Sequence, residues 1–223
     1  MASDTAAHLP ADTAQDTPQD TAKRRQILDG ARRTFMAMGF DGASMGQIAR
    51  AAGVSKGTLY VYFDSKEALF QTIAADEIQS QGAVVFSLEA DDPDIEKVLT
   101  RLGKDFVRFV CMPERMPMIR TIIAICERMP EVGRKFFEAG PANGIARLTR
   151  YLVAQNDAGM LTIDDPELAA IQFLEACLGP FLKPLLLCYA TVADESEIDR
   201  SVRAAVRVFL AAYRTGPNAS ANS

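Results

Sequence analysis

Between Ser44 and Phe70 the chain reads S-M-G-Q-I-A-R-A-A-G-V-S-K-G-T-L-Y-V-Y-F-D-S-K-E-A-L-F, and this stretch gathers side chains suited to holding a polyanion. Lys56 can reach a backbone phosphate or a guanine edge, as Arg and Lys do on DNA. Thr58, Tyr60 and Tyr62 bring hydroxyls, and two tyrosines set so close on a short outward face are costly unless they touch something. Gly57 sits where the helix approaches a sugar-phosphate backbone; its cost in a helix relative to alanine is about 1 kcal/mol. Lys66 falls at a helix N-terminus, whose free amides and positive dipole end favour a phosphate. Ser44 is placed to cap a helix and to present its amide or hydroxyl to another.

These residues need two short helices and a tight turn to position them. Ser44 followed by Gln47 is a capping box that starts the first helix. Ile48, Ala49 and Ala52 form its apolar side, and Gly53 supplies the left-handed residue after it. Ser55 caps the second helix. That helix buries Val54, Leu59 and Phe63 and turns Lys56, Gly57, Thr58, Tyr60 and Tyr62 outward. Asp64 or Ser65 starts a third. Two short helices joined through a glycine turn are the helix-turn-helix, whose second helix enters the DNA major groove.

With G-V-S-K-G-T-L-Y-V-Y-F-D-S-K-E-A-L-F in place, residues 23–72 resemble the TetR family of bacterial transcriptional regulators. The resemblance implies an all-α fold of about nine helices, with a three-helix DNA-binding head and a larger helical body. It also implies a homodimer on a double-stranded DNA operator and a small-molecule effector that releases the DNA. Positions matching Thr58, Tyr60 and Tyr62 lie in that family against phosphates and thymine methyls. Val61 stands where many relatives carry an aromatic residue. The stretch I-R-T-I-I-A-I-C-E-R-M-P-E-V-G-R-K-F-F-E-A-G-P at 119–141 further resembles the body of the AefR-like subgroup, as do residues 165–172 and the apolar run near Pro184.

Charge distribution agrees with that division. The chain carries −5 overall, yet residues 22–66 hold eight basic residues against three acidic ones, a net +5, leaving −10 for the remainder. A basic head attracts phosphate while an acidic body is kept off the duplex. The sole histidine, His8, lies in a polar, acidic N-terminal stretch, which argues against histidine-based catalysis and most zinc sites. Cys111, Cys126, Cys177 and Cys188 show no Cys-x-x-Cys spacing and read as free thiols. There is no G-x-S-x-G nucleophile motif. No metal, cofactor or enzymatic activity is expected; a helical enzyme is the remote alternative, and a ligand-independent regulator or an activator the nearer one. The run of apolar residues nowhere reaches a membrane span and no secretory signal opens the chain, so a cytoplasmic protein is expected.

The expected organisation is a disordered tail over 1–20, the DNA-binding domain over 21–66, the ligand-binding and dimerisation domain over 67–215, and a second tail over 216–223. The first helix spans about 21–38, closed by Gly39 with Phe40 folding back. In the body, Asp92-Pro93 opens a helix to about residue 111, and others follow over 114–128 and 130–138. Gly140-Pro141 reads as a turn, with helices after it over 142–157, 165–190 and 194–214. Gly179-Pro180 and Pro184 should interrupt the long one.

Phe106, Phe109, Met112, Met116, Ile119, Ile123, Phe136, Phe137, Tyr151 and Phe173 are candidates to line an apolar pocket, though such a stripe also serves as core. Arg120, Glu127, Asn143 and Glu175 are the polar groups near them. In the family the last two helices form a four-helix dimer interface; a monomer would have to hide Leu182, Leu185, Leu186, Leu187 and Phe209 within one chain.

Overall fold

The computed structural model describes residues 18–89, 92–190 and 192–215. The two stretches read as tails lie outside these residues, apart from 18–20, which are already helical. The chain divides into two compact units, with the break between Lys66 and Glu67.

In the first unit, helix α1 (Pro18–Gly42) kinks at Gly39, whose φ of 70° is in the left-handed region. Phe40 folds back there and stacks on Phe35 with centroids 5.8 Å apart. Helix α2 (Met45–Ala52) starts on the reciprocal capping box: Gln47 N–H donates to Ser44 Oγ, and Ser44 N–H donates to Gln47 Oε1 at 2.9 Å. Gly53 ends it at φ 65°, and Ser55 then caps α3 (Lys56–Tyr62) by accepting from Thr58 N–H.

Helices α1 and α2 cross in near backbone contact. A Cβ on Gly30 would lie 2.5 to 2.6 Å from the Cβ, Cα and N of Ala52, so glycine alone permits the approach. The crossing brings two α1 side chains onto the open end of α2: Gln26 Nε2 donates to Ala52 O at 2.7 Å and Arg33 Nη2 to Ala51 O at 2.6 Å. These are carbonyls that a helix C-terminus leaves without intrahelical partners. Ile27, Leu28, Ala31, Ile48, Ala49, Leu59 and Phe63 form the apolar core of the unit.

The second unit is also helical. Helix α4 (Lys66–Val85) leads to α5 (Ile95–Val110), which starts two residues later than Asp92-Pro93 suggests. Asp92 forms a turn by accepting from Asp94 N–H, and it is Asp94 that caps, accepting from Lys97 N–H at 3.1 Å. Then come α6 (Arg115–Cys126), α7 (Pro130–Phe137), α8 (Asn143–Asp157), α9 (Pro166–Leu186) and α10 (Glu195–Tyr213), the last two capped by Asp165 and Asp194. Gly140-Pro141 does not turn the chain. It sits in a π-helical turn, Glu138–Ala142, that joins α7 to α8. The wider turn accommodates a residue that lacks an N–H and whose ring would crowd an α-helical carbonyl. Helix α9 likewise runs on through Pro180 and Pro184, because its opposite side is packed: Phe173, Leu174, Cys177, Leu178 and Phe181 are all buried. By length and composition α9 could cross a membrane, a point missed in the sequence, but here that apolar side belongs to the core of the unit.

Helices α5, α9 and α10 meet at Gly103, where a Cβ would stand 2.8 Å from Val202 Cγ1 and 3.1 Å from Cys177 Sγ. Tyr151 and Gln155 of α8 both donate to the carbonyl of Asp92 and hold the start of the α5 turn. Burial pushes the thiol of Cys111 up to about 11 and that of Cys177 to about 12, so both stay protonated at neutral pH. Outside this core α5 and α10 are joined by charge. Arg108 forks onto Glu195, with Nη2 to Oε2 at 2.8 Å, and Asp199 accepts from Lys104 and Arg203.

This packing can be tested at two points. Gly30→Ala must push α1 and α2 apart, and overpacking of that kind costs about 1–3 kcal/mol; urea denaturation should show the loss. The carboxylates of Asp199 and Glu195 are held below their ordinary range, chiefly by hydrogen bonds from Lys104 and Arg108. Their stabilisation is therefore complete above the ordinary carboxylate pKa and lost as pH falls through the depressed folded values. Melting temperatures measured from neutral to acid pH should fall less steeply for Asp199→Asn than for the natural chain.

Candidate functional site

Helix α3 is barely two turns long, and one side of it is buried through Leu59 alone. On the other side Lys56, Gly57, Tyr60 and Val61 are exposed, Tyr60 by 51% and Val61 by 81%. Thr58 is half-buried, its hydroxyl 2.8 Å from that of Ser55. Lys56 lies across the start of α2: a Cβ on Gly46 would come within 2.9 Å of its Cε. Ser44 is exposed, with its hydroxyl and amide both engaged by Gln47.

Two residues read as outward-facing contacts are held inside the unit. Tyr62 is half-buried, and its hydroxyl donates to Asp20 Oδ1 at 3.0 Å, tying α3 to the first turn of α1. Lys66 is no free clamp. Its ammonium donates to Phe40 O at 2.9 Å, Ala43 O at 3.1 Å and Asp41 O at 3.5 Å, and lies 4.7 Å from the centre of the Phe40 ring. The end of α1 beyond the Gly39 kink, with Ala43 after it, opens a ring of carbonyls, and a cation fills it.

Other basic groups are also engaged internally. Arg32 pairs with Asp29, Arg33 holds Ala51 O, and Arg24 lies over the Phe63 ring at 5.3 Å. Arg25, Arg50 and Lys56 are exposed cations. Arg50 was not singled out in the sequence; its place opposite Ile48 and Ala52 on the polar side of α2 is the signal that marks it.

The second unit holds a partly open cavity of about 350 Å³ bordered by α4 to α9. Phe106, Phe109, Ile119, Phe136 and Phe137 line it, together with Phe86, Met118, Leu178 and Leu182. The other candidates do not. Met112 is an exposed residue beyond the end of α5, and Ile123 is 55% exposed on α6. Met116 and Phe173 are buried in the core. Tyr151 is buried too and borders a separate, polar cavity of about 330 Å³. The apolar spacing is the same for all of them; helix rotation, set by long-range packing, decides which side faces the void.

Asn143 and Glu175 border the larger cavity. Arg120 instead donates to Leu185 O at 3.1 Å, and Glu127 is exposed past the end of α6. Two cations in the wall were not foreseen. Arg115 is only 6% exposed, its guanidinium 3.8 Å from the centre of the Phe109 ring. Arg147 donates from Nε to Asn143 Oδ1 at 2.9 Å. The π-helical turn supplies Ala139, Gly140 and Pro141 to the same wall.

A helix-turn-helix unit followed by a helical body with an apolar cavity is the build of a DNA-binding regulator. Family comparisons agree in both parts: residues 27–73 match the bacterial regulatory proteins of the tetR family, and residues 97–215 match the AefR-like transcriptional repressor C-terminal domain. The chain belongs to the TetR family, as a transcriptional regulator and not an enzyme. Over 163 residues it is 27% identical to the HTH-type transcriptional repressor AcnR of Corynebacterium glutamicum, covering 73% of this chain and 81% of that one. A stretch of 63 residues is 43% identical to the HTH-type transcriptional repressor Rv1474c of Mycobacterium tuberculosis, 28% of this chain and only 34% of the relative. Among solved structures, a TetR-family regulator from Mesorhizobium loti superposes with a TM-score of 0.80 at 29% identity, covering 87% of this chain and 98% of the other. The flavonoid-responsive regulator FrrA gives 0.76 at 31% identity, covering 89% and 100%.

The internal role of Lys66 makes a prediction that separates it from a phosphate contact. Lys66→Met leaves the carbonyls of Phe40, Asp41 and Ala43 without their donor, and hydrogen bonds to charged groups contribute about 1.5–3 kcal/mol. Chemical denaturation without DNA should show the loss; unchanged stability would make Lys66 a candidate for DNA contact again.

Proposed function

We propose that this regulator is a homodimeric repressor that holds a pseudo-palindromic operator through paired α3 helices and is released by a small, largely apolar effector. The exposed side of α3 carries the reading: Lys56, Gly57 and Tyr60 stand together there, with the half-buried Thr58 beside them. Lys56 takes a phosphate or guanine edge, and Tyr60 presents a ring and a hydroxyl to the groove. Arg25 and Arg50 add phosphate contacts at the margins. Ser44 contributes through α2's first turn, its own hydroxyl being engaged by Gln47. Tyr62 and Lys66 act indirectly, by fixing where α3 lies.

Repressor relatives support the sign of regulation. The cavity supports the effector, since a void of this size walled by phenylalanines suits a small apolar molecule. FrrA, described as flavonoid-responsive, is consistent with an aromatic one. Helix α4 begins at Lys66, and Gly82 near its other end borders the cavity, so we assign to α4 the transmission of effector binding. The effector would prefer the α4 position that misplaces the DNA-binding units, and that difference in affinity sets the switch. Dimerisation is assigned to α9 and α10, where Leu168 and Val208 are 48% and 67% exposed. Two heads then read half-sites about 34–36 Å or more apart.

Tyr60→Ala should weaken operator binding by about tenfold or more, from the loss of about 1–3 kcal/mol per specific contact, while sedimentation still shows a dimer. Natural-chain affinity in that variant would remove α3's exposed side from the interface.

A further inference from the structure

We infer that Val61 reads a thymine through its C5-methyl group, so that each operator half-site holds thymine at the base Val61 meets. The inference rests on α3 being the helix that enters the major groove, and it concerns which base that helix selects there.

Of the seven residues of α3, Leu59 is buried, and the hydroxyls of Thr58 and Tyr62 are engaged by Ser55 and Asp20. The other four lie in two rows, because helix residues four apart stand one above the other. Lys56 and Tyr60 make a row with polar ends. Gly57 and Val61 make the adjacent row, in which no side chain can donate or accept a hydrogen bond. Val61 is 81% exposed, the most of any large hydrophobic residue described in the first unit. Folding gives no reason for it. A valine so placed buries little apolar surface, and its branched side chain suits a helix less well than alanine does. Gly57 is equally unexplained from within. Its backbone is helical, and a Cβ there would meet only Ser55 Oγ, at an ordinary 3.7 Å. What the two residues offer together is an outer surface: a bare turn, then a pair of methyl groups one turn on. The bare turn lets the helix come close to the floor of the groove, and Val61 then meets base edges. Those edges carry hydrogen-bonding groups on all four bases but a single apolar group, the C5-methyl of thymine. Val61 over a donor or acceptor would take that group from water without a partner. Over a methyl group it buries apolar surface instead. Charge names DNA as the occupant of this face, since residues 22–66 carry a net +5 and Arg25 and Arg50 are exposed.

The test uses the full-length chain and the duplex DNA that it enriches from a random-sequence pool. In the enriched duplex each thymine is replaced in turn by deoxyuridine, which removes the methyl group alone, and affinity is read by fluorescence anisotropy. One thymine per half-site should matter, its replacement weakening binding about fourfold, the size of one buried methyl group. In Val61→Ala the same replacement should change affinity less than about twofold. With cytosine at that position, methylation at C5 should strengthen binding of the natural chain by about the same fourfold and leave Val61→Ala unaffected. Should circular dichroism show Val61→Ala unfolded, Val61→Ser decides by the same twofold criterion. A duplex in which no thymine depends on its methyl group, or a methyl effect undiminished in the folded variant, overturns the role of Val61. It leaves α3 in the groove, because sequence-specific binding is then still present. Enrichment of no sequence at all overturns both the inference and the reading of α3 on which it rests.

Discussion

Everything presented by α3 depends on two helix backbones touching where Gly30 of α1 meets Ala52 of α2. The contact fixes the end of α2, and the end of α2 fixes the Gly53 turn from which α3 departs. A unit of this size has little apolar core from which to draw rigidity. Its geometry is held instead by polar groups on helix ends: Gln26 and Arg33 on the last carbonyls of α2, Lys66 on the carbonyls at the end of α1, and the Ser44–Gln47 box at the start of α2. Each satisfies a backbone group that a helix end leaves open, so each is directional where an apolar contact is not. The exposed residues of α3 can serve recognition because the positioning is done elsewhere.

That arrangement explains why several basic residues in a DNA-binding unit are already engaged within it. Arg24, Arg33 and Lys66 count toward the positive charge of the segment, and that charge acts at a distance whether or not it touches DNA. Their local role is structural all the same. A count of Lys and Arg identifies the electrostatic character of the unit; it cannot separate a cation that holds a carbonyl from one that meets a phosphate.

What the chain discloses in one dimension follows the range of the interaction. Ser44, Gly53, Ser55, Asp165 and Asp194 act on residues two to four positions away, and all are legible as caps. Tyr62 and Lys66 bond across 42 and 23 to 26 residues, and nothing local signals that their polar ends are engaged. The same limit governs the cavity. Phe106, Phe109, Ile119 and Phe137 share their apolar periodicity with Met116, Tyr151 and Phe173, and only the rotation of each helix against its neighbours sorts wall from core. Asp92-Pro93 and Gly140-Pro141 misled for a different reason. Proline admits more than one local solution, a capped turn in the first case and a widened helical turn in the second, and the surrounding packing chooses.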